Sequence, residues 1–347
     1  MWRFLRWLLI LLVVAALGAG AVVRHYHQQA HTPYRAFEGD EQFVDIPQGE
    51  GSRQIGARLI AAGIVRDDLT FRVALAITGE ARALKAGEYQ FTEPQSAVDV
   101  IHRLARGDVY TRALTFREGL TAAEMARHFE QSGFGTAGSF TEAVRNASLI
   151  ADLDPEARDL EGYLFPNTYA LPRTATADDL VRRMVALFRA AFDEALRADA
   201  ARQGFSVRDV VALASLIEKE TGLEAERPVV AAVYRNRLRI GMGMQADPTV
   251  IYALMLAGRW DGNITRADLQ FDSPYNTYRY RGLPPGPIAN PGRASLVAAL
   301  NPADVDYLYF VSRNDGSHVF SRTLAEHNRA VREWQIEYFR NRRHQPR

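Results

Sequence analysis

Two carboxylates, Glu218 and Glu220, end the stretch VALASLIEKETG at residues 211–222. Val211, Ala214, Leu216 and Ile217 give it an apolar majority with helical spacing. It therefore predicts a mostly buried helix, N-capped by Ser206 and ended by Gly222. At about 100° per residue, Glu218 lies over Val211, Ala214 and Ser215, a small and apolar surface, while Glu220 points to roughly the opposite side. The pair cannot act as one paired-carboxylate device on a regular helix. Desolvation disfavours a charged carboxylate and raises its pKa. A glutamic acid still protonated near neutral pH can act as a general acid. On this reasoning Glu218 is the expected acid, and Glu220 is expected to matter much less. The bland alternative is a solvated Glu218 at the helix edge, or one paired with Lys219 or an arginine.

The elements around this helix must supply a groove. Asp178 or Asp179 is expected to open one long amphipathic helix running to about Arg202. Pro228 sits in the first turn of a following helix that ends near Gly241. Asp247 is expected to cap the next helix ahead of Pro248. SPYNTY (273–278) and GLPPGPIANPG (282–292) predict rigid loops, and Ser295 opens a short helix. DYLYFVS and SHVFS flank Asn314, Asp315 and Gly316 as a hairpin, with His327 on the final helix. Function concentrates at element ends. Gln245, Asp247, Tyr275, Asn276, Tyr278 and His318 are therefore the residues expected to line one groove with Glu218. LEGYLFPNTY (160–169) reads either as a sugar-stacking wall, since pyranose CH faces pack on rings, or as a loop that caps the core.

Upstream, WLLILLVVAALGAGAVV (7–23) carries no charge and approaches the roughly 20 residues that span a bilayer. Arg3 and Arg6 precede it, which places the N-terminus in the cytoplasm and the rest outside. A cleaved signal peptide, with Ala19 and Ala21 near a possible site, is the competing reading. The run is longer than a usual signal core, which favours an uncleaved anchor. The expected divisions are a cytoplasmic tip and transmembrane anchor (1–27), a polar linker (28–42), a small α/β module (43–110), a larger mixed domain (111–340) and a basic, disordered tail (341–347). In the module, 43–46 and 84–91 predict strands. Helices capped by Ser52, Asp67 and Ser96 lie between and after them. This order resembles LysM modules, which bind glycans containing N-acetylglucosamine; a bland packing domain fits as well. Arg112 to Arg117 predicts a further strand, and Thr121 with Glu124 a capping box. The fold class is α+β.

Composition removes several chemistries. A net charge of +1 gives no nucleic-acid signal. Cysteine is absent, there is no HExxH helix, and the eight histidines are scattered, so no metal site is expected. There is no GxSxG elbow. GMGMQA (241–246) mimics a dinucleotide fingerprint but follows a helix instead of a strand. What remains is an acid followed by loops rich in Tyr, Asn, Gln and Pro, as a neutral polysaccharide requires.

ASLIEKETG, RNRLRIGM, MQADPTVIYAL, SPYNTYRYRGLPPGPIANPG, YLYFVS and HVFSRTLAEHN, in that order, resemble the endolytic murein transglycosylase family, formerly labelled aminodeoxychorismate-lyase-like. The likeness covers roughly Phe43 to Trp334. It implies a single-pass inner-membrane protein with a LysM-like subdomain and a periplasmic catalytic domain. It also implies non-hydrolytic cleavage within glycan strands between N-acetylmuramic acid and N-acetylglucosamine, leaving 1,6-anhydromuramoyl ends. The family's catalytic glutamate falls on Glu218, no cofactor is implied, and the partners are nascent glycan strands, the membrane and peptidoglycan synthases (penicillin-binding proteins). A glycosidase that activates water or forms a glycosyl-enzyme needs two carboxylates. Attack by the sugar's own 6-hydroxyl needs a single acid/base, and a lone Glu218 without a partner fits that scheme. The old lyase label would require pyridoxal phosphate on a Schiff-base lysine, for which only Lys85 and Lys219 exist. A non-catalytic glycan-binding scaffold is the other alternative.

Overall fold

The computed structural model describes residues 2–343 and divides into two compact units. The first comprises residues up to Arg112 together with Ala170–Thr174; the second comprises Ala113–Tyr169 and the chain from Ala175 onward.

In the first unit the order is α1 (Trp2–His31), β1 (Gln42–Ile46), α2 (Ser52–Ala61), α3 (Asp68–Thr78), β2 (Gly87–Phe91) and α4 (Ala97–Arg106). The strands pair antiparallel, with Val44 opposite Tyr89. Their inner faces meet the helices in a core built on Ile46, Phe71, Tyr89, Phe91, Ile101 and Leu104. Asp67 and Ser96 cap α3 and α4 through their side chains, as expected. At α2 the cap is Gly51, and Ser52 is already the first helical residue. Residues 28–31, expected to begin an irregular linker, continue α1, and Ala30 is completely buried in this core.

From Arg112 onward the order is β3 (Arg112–Thr115), α5 (Ala122–Gln131), α6 (Ala137–Val144), β4 (Thr168–Leu171), α7 (Ala177–Ala191), α8 (Glu194–Arg202), α9 (Val207–Glu220), α10 (Arg227–Arg239), α11 (Asp247–Leu256), α12 (Arg293–Leu300), β5 (Tyr309–Ser312), β6 (His318–Ser321), α13 (Leu324–Val331) and, after a π-helical turn, α14 (Tyr338–Arg343). β3 pairs with β4, and β5 with β6. The tail expected to be disordered from 341 is helical through Arg343, and residues 344–347 lie outside the described residues.

The single helix expected over 178–202 is two helices. Phe192, completely buried, leaves the helical conformation, and Asp193 then caps α8 through Leu196 N–H. The sequence is amphipathic on both sides of the break, so periodicity alone does not reveal it. α9 is the central helix: every residue from Val210 to Ile217 is buried, and α8, α10, α11 and α12 pack around it. Its start is fixed by a capping box between Ser206 and Asp209. Each of its large aliphatic side chains contributes about 1.5–3 kcal/mol by leaving water. Its position therefore determines where the two terminal carboxylates project.

Candidate active site

Glu218 projects into a polar clamp. Its carboxylate accepts from Gly292 N–H at 3.0 Å and Ser295 Oγ at 2.7 Å, and it pairs with Arg227 at 3.2 Å. The side chain is 6% exposed and that of Arg227 is 10% exposed. The same guanidinium reaches Glu118 at 3.5 Å. Burial, and then the neighbouring Glu218 charge, push the Glu118 carboxyl above its ordinary range. Glu118 lies so close to Gly292 that a Cβ there would strike its carboxylate. The expectation of a lone Glu218 on an apolar surface is thus corrected. Val211, Ala214 and Ser215 do share its side of α9, but the starts of α10 and α12 bring charge and donors to the carboxylate. The arrangement ties the end of α9 to α10 and α12.

Glu220 projects to the other side of α9, as the helical spacing requires. Tyr234 Oη donates to Glu220 Oε1 at 2.7 Å, and Oε2 accepts no hydrogen bond from the described residues. The carboxyl is half-buried and faces a cavity of about 310 Å³. Lack of hydration pushes it up to about 7; the Tyr234 hydrogen bond opposes that shift and the Asp247 charge reinforces it. Gln245, Asp247, Tyr278, Arg237 and the rings of Tyr309 and Phe310 line the same cavity.

Long-range bonds bring these groups together. Arg237 donates to the carbonyls of Leu308 and Met244 and so fixes the start of β5 to the loop after α10. Gln245 holds a left-handed φ of 50°, which turns the chain back into α11. Its N–H and that of Ala246 bond to Thr277, and Thr277 also bonds Thr249. Tyr278 follows directly, and its hydroxyl donates to Asp247 at 2.6 Å. Asp247 is therefore not the cap of α11. It is the first helical residue, Ala246 occupies the cap position, and the Asp247 carboxylate is turned toward Tyr278.

The other three expected residues do not line this cavity. Asn276 is fully buried and bonds to the carbonyls of Leu269 and Phe271 and to Tyr278 N–H, so it shapes the loop that presents Tyr278. Tyr275 lines a larger cleft of about 810 Å³ with Arg208, Phe205 and Pro284. His318 pairs with Glu226 at 2.7 Å, edge-on to Phe310. Glu218 is in the wall of neither cavity. Among the described residues no group of three or more His, Cys, Asp or Glu side chains could hold a metal ion.

The sequence reasoning missed the supporting network. Asn290, completely buried, accepts from Leu164 N–H and donates to Leu120 O and to Glu161. Glu161 also accepts from Ala122 N–H, and burial pushes its carboxyl up to about 8. LEGYLFPNTY is therefore fastened to the core: Tyr163 and Leu164 are buried, and Gly162 abuts Pro287 where a Cβ would collide. That is the core-capping alternative, not the sugar wall. A polar residue flanked by proline, as Asn290 is, was the one available signal.

The model of the YceG-like family matches residues 44–333. The endolytic murein transglycosylase of Bacillus subtilis (strain 168) is 32% identical over 303 residues, covering 83% of each chain. That of Streptococcus pneumoniae serotype 2 is 30% identical over 361 residues; the match covers 93% of this chain but 64% of the pneumococcal protein. A crystal structure of a YceG-like protein from Listeria monocytogenes aligns with a TM-score of 0.57 and 30% identity, covering 84% of this chain and 100% of that one. The match over most of its length makes this chain a member of the YceG-like family.

Proposed function

We propose that this chain is an endolytic murein transglycosylase, a lyase acting on peptidoglycan, and that Glu220 rather than Glu218 is its acid/base. The relatives carrying that name support the activity. One observation carries the assignment of the acid: Glu220 is raised to about 7 and opens onto the cavity formed by Gln245, Asp247 and Tyr278. Glu218 has the partners of a structural clamp.

The chemistry follows from one carboxyl. With a value of about 7, a substantial share of Glu220 is protonated at neutral pH. Its Oε2 proton passes to the glycosidic oxygen between N-acetylmuramic acid and N-acetylglucosamine as the C1–O bond breaks. Positive charge develops at C1 and on the ring oxygen, and the new Glu220 carboxylate faces it. The 6-hydroxyl of the same muramoyl ring then attacks C1 and gives its proton to Glu220. The acid is regenerated and a 1,6-anhydro end is left. The nucleophile is already in the substrate, where effective concentrations reach roughly 10⁵–10⁸ M. Tyr309 and Phe310 offer aromatic faces to sugar CH groups, and Gln245 offers an amide to a hydroxyl or acetamido group.

Location completes the reading. α1 is a single N-terminal apolar helix long enough to cross a bilayer. The charges before it favour a cytoplasmic N-terminus and a periplasmic catalytic unit on the inner membrane, beside nascent strands and their synthases. The strand, helix, helix, strand order of the first unit supports the LysM-like reading. The lyase alternative with pyridoxal phosphate is not favoured, because Lys219 Nζ is committed to Gly119 O and Lys85 Nζ to Arg106 O, and neither lines the Glu220 cavity. Digestion of sacculi in ¹⁸O-water tests the reaction: anhydro ends without label support it. Label at the new reducing ends would make the protein a hydrolase, and intact sacculi would leave the binding scaffold.

A further inference from the structure

We propose that the first unit docks directly on the lipid headgroup layer, with α1 as a continuous rigid post and not a flexible tether. The proposal rests on reading α1 as an uncleaved membrane anchor.

The argument is one of length. The apolar run ends at Val23, which is 67% exposed and free to meet lipid. Tyr26 is already half-buried against the first unit, Gln29 likewise, and Ala30 is 0% exposed in its core. At about 1.5 Å per residue, Tyr26 stands roughly 5 Å beyond Val23 and Ala30 roughly 10 Å beyond it. The headgroup region adds about 5–8 Å on each side of a hydrocarbon core about 30 Å thick. The unit therefore begins where the headgroups are, with no space for an intervening segment.

The attachment is also stiff. The helix does not break between Trp2 and His31. Thr70 Oγ1 at the start of α3 donates to Gln29 Oε1 at 3.0 Å, and the Gln29 amide contacts His25 at 2.8 Å. The chain leaving α1 is stitched down at once: Tyr34 N–H bonds to Gln95 O and Ala36 N–H to Gly63 O. Arg66 stacks over Tyr34 beside this junction. The residues at the junction suit a headgroup layer: exposed Arg24 and His25 for phosphates, half-buried Tyr26 as an interfacial ring, and Leu69, 48% exposed next to Thr70. The partner is the phospholipid surface itself. The consequence is a fixed orientation for the first unit relative to the membrane plane, which a cleaved or tethered protein would lack.

The chain has no cysteine, so Leu69→Cys gives a single labelling site. The full-length variant, carrying a fluorescent donor at that position, is placed in phosphatidylethanolamine–phosphatidylglycerol vesicles with acceptor-labelled headgroups. A second protein carries four Gly-Gly-Ser repeats between Arg24 and His25. The uninterrupted chain should place the donor within the headgroup layer, and the insertion should release it outward by up to about 20 Å. A donor remote from the headgroups in the uninterrupted chain overturns the docking, and one unmoved by the insertion overturns the rigid post. Vesicle flotation separates the two ideas: protein that floats with a remote donor keeps the anchor and loses the docking, whereas protein that fails to float loses both.

Discussion

Replacing Tyr234 by Phe tests the assignment of Glu220 without touching either carboxylate. Tyr234 is 1% exposed, and its hydroxyl donates to Glu220 at 2.7 Å, which favours the charged form. A hydrogen bond to a charged group contributes about 1.5–3 kcal/mol. One pKa unit corresponds to about 1.4 kcal/mol, so the change should raise Glu220 from about 7 by roughly 1–2 units. A general acid must be protonated to act. kcat/KM should therefore be flat below the pKa of the free enzyme and fall tenfold per pH unit above it. For the natural protein that fall begins near pH 7, and for the Phe variant near 8–9 by the same arithmetic. Initial rates of muropeptide release from sacculi across pH 5–10 would measure both limbs, with circular dichroism at each pH to exclude unfolding. Tyr234 does not contact Glu218, so a limb that stays in place, or one that moves to lower pH, refutes Glu220 as the acid.

Asp247→Asn should move the same limb the opposite way, toward lower pH, because a like charge that raises Glu220 is removed; a rise would contradict the geometry. Glu218→Gln should act on stability: breaking a buried pair by removing one partner costs about 3–5 kcal/mol, visible as a lower denaturation midpoint, while kcat of the folded fraction stays within the same order of magnitude. Thermal stability should also fall with rising pH. Glu161 and Glu220 have folded values near 8 and 7, above their ordinary 4.5, so their contribution is full below pH 4.5 and is lost as pH rises through 7 to 8. Glu161→Gln should flatten the upper part of that decline, and an unchanged slope between pH 7 and 9 would count against its burial as a neutral acid.

Much of the frame around α9 was legible locally. Ser206 and Asp209 mark its start, Thr121 and Glu124 mark α5, and the 100° spacing correctly sends Glu218 and Glu220 to different sides. Sequence spacing could not say which side opens onto a cavity. The groups that occupy Glu218 come from Arg227, Gly292 and Ser295, and those that leave Glu220 desolvated but reachable come from Tyr234, Gln245 and Tyr278. Asp247 before Pro248 has the local signature of a cap, yet Tyr278, thirty-one residues on, captures its carboxylate. The break at Phe192 and the continuation of α1 to His31 were hidden for the same reason. In each, a buried contact outweighs the local pattern.

The most direct measurement compares Glu220→Gln with Glu218→Gln, each as full-length protein in detergent, by mass spectrometry of 1,6-anhydromuropeptides released from sacculi per mole of folded enzyme. Loss of acid/base function costs roughly 10²–10⁴ in rate. The account predicts that loss for Glu220→Gln, with its melting temperature kept or raised because a desolvated carboxyl is replaced by a neutral amide. It predicts no comparable loss for Glu218→Gln once folded protein is counted. Full activity in folded Glu220→Gln, with activity abolished in folded Glu218→Gln, would contradict it.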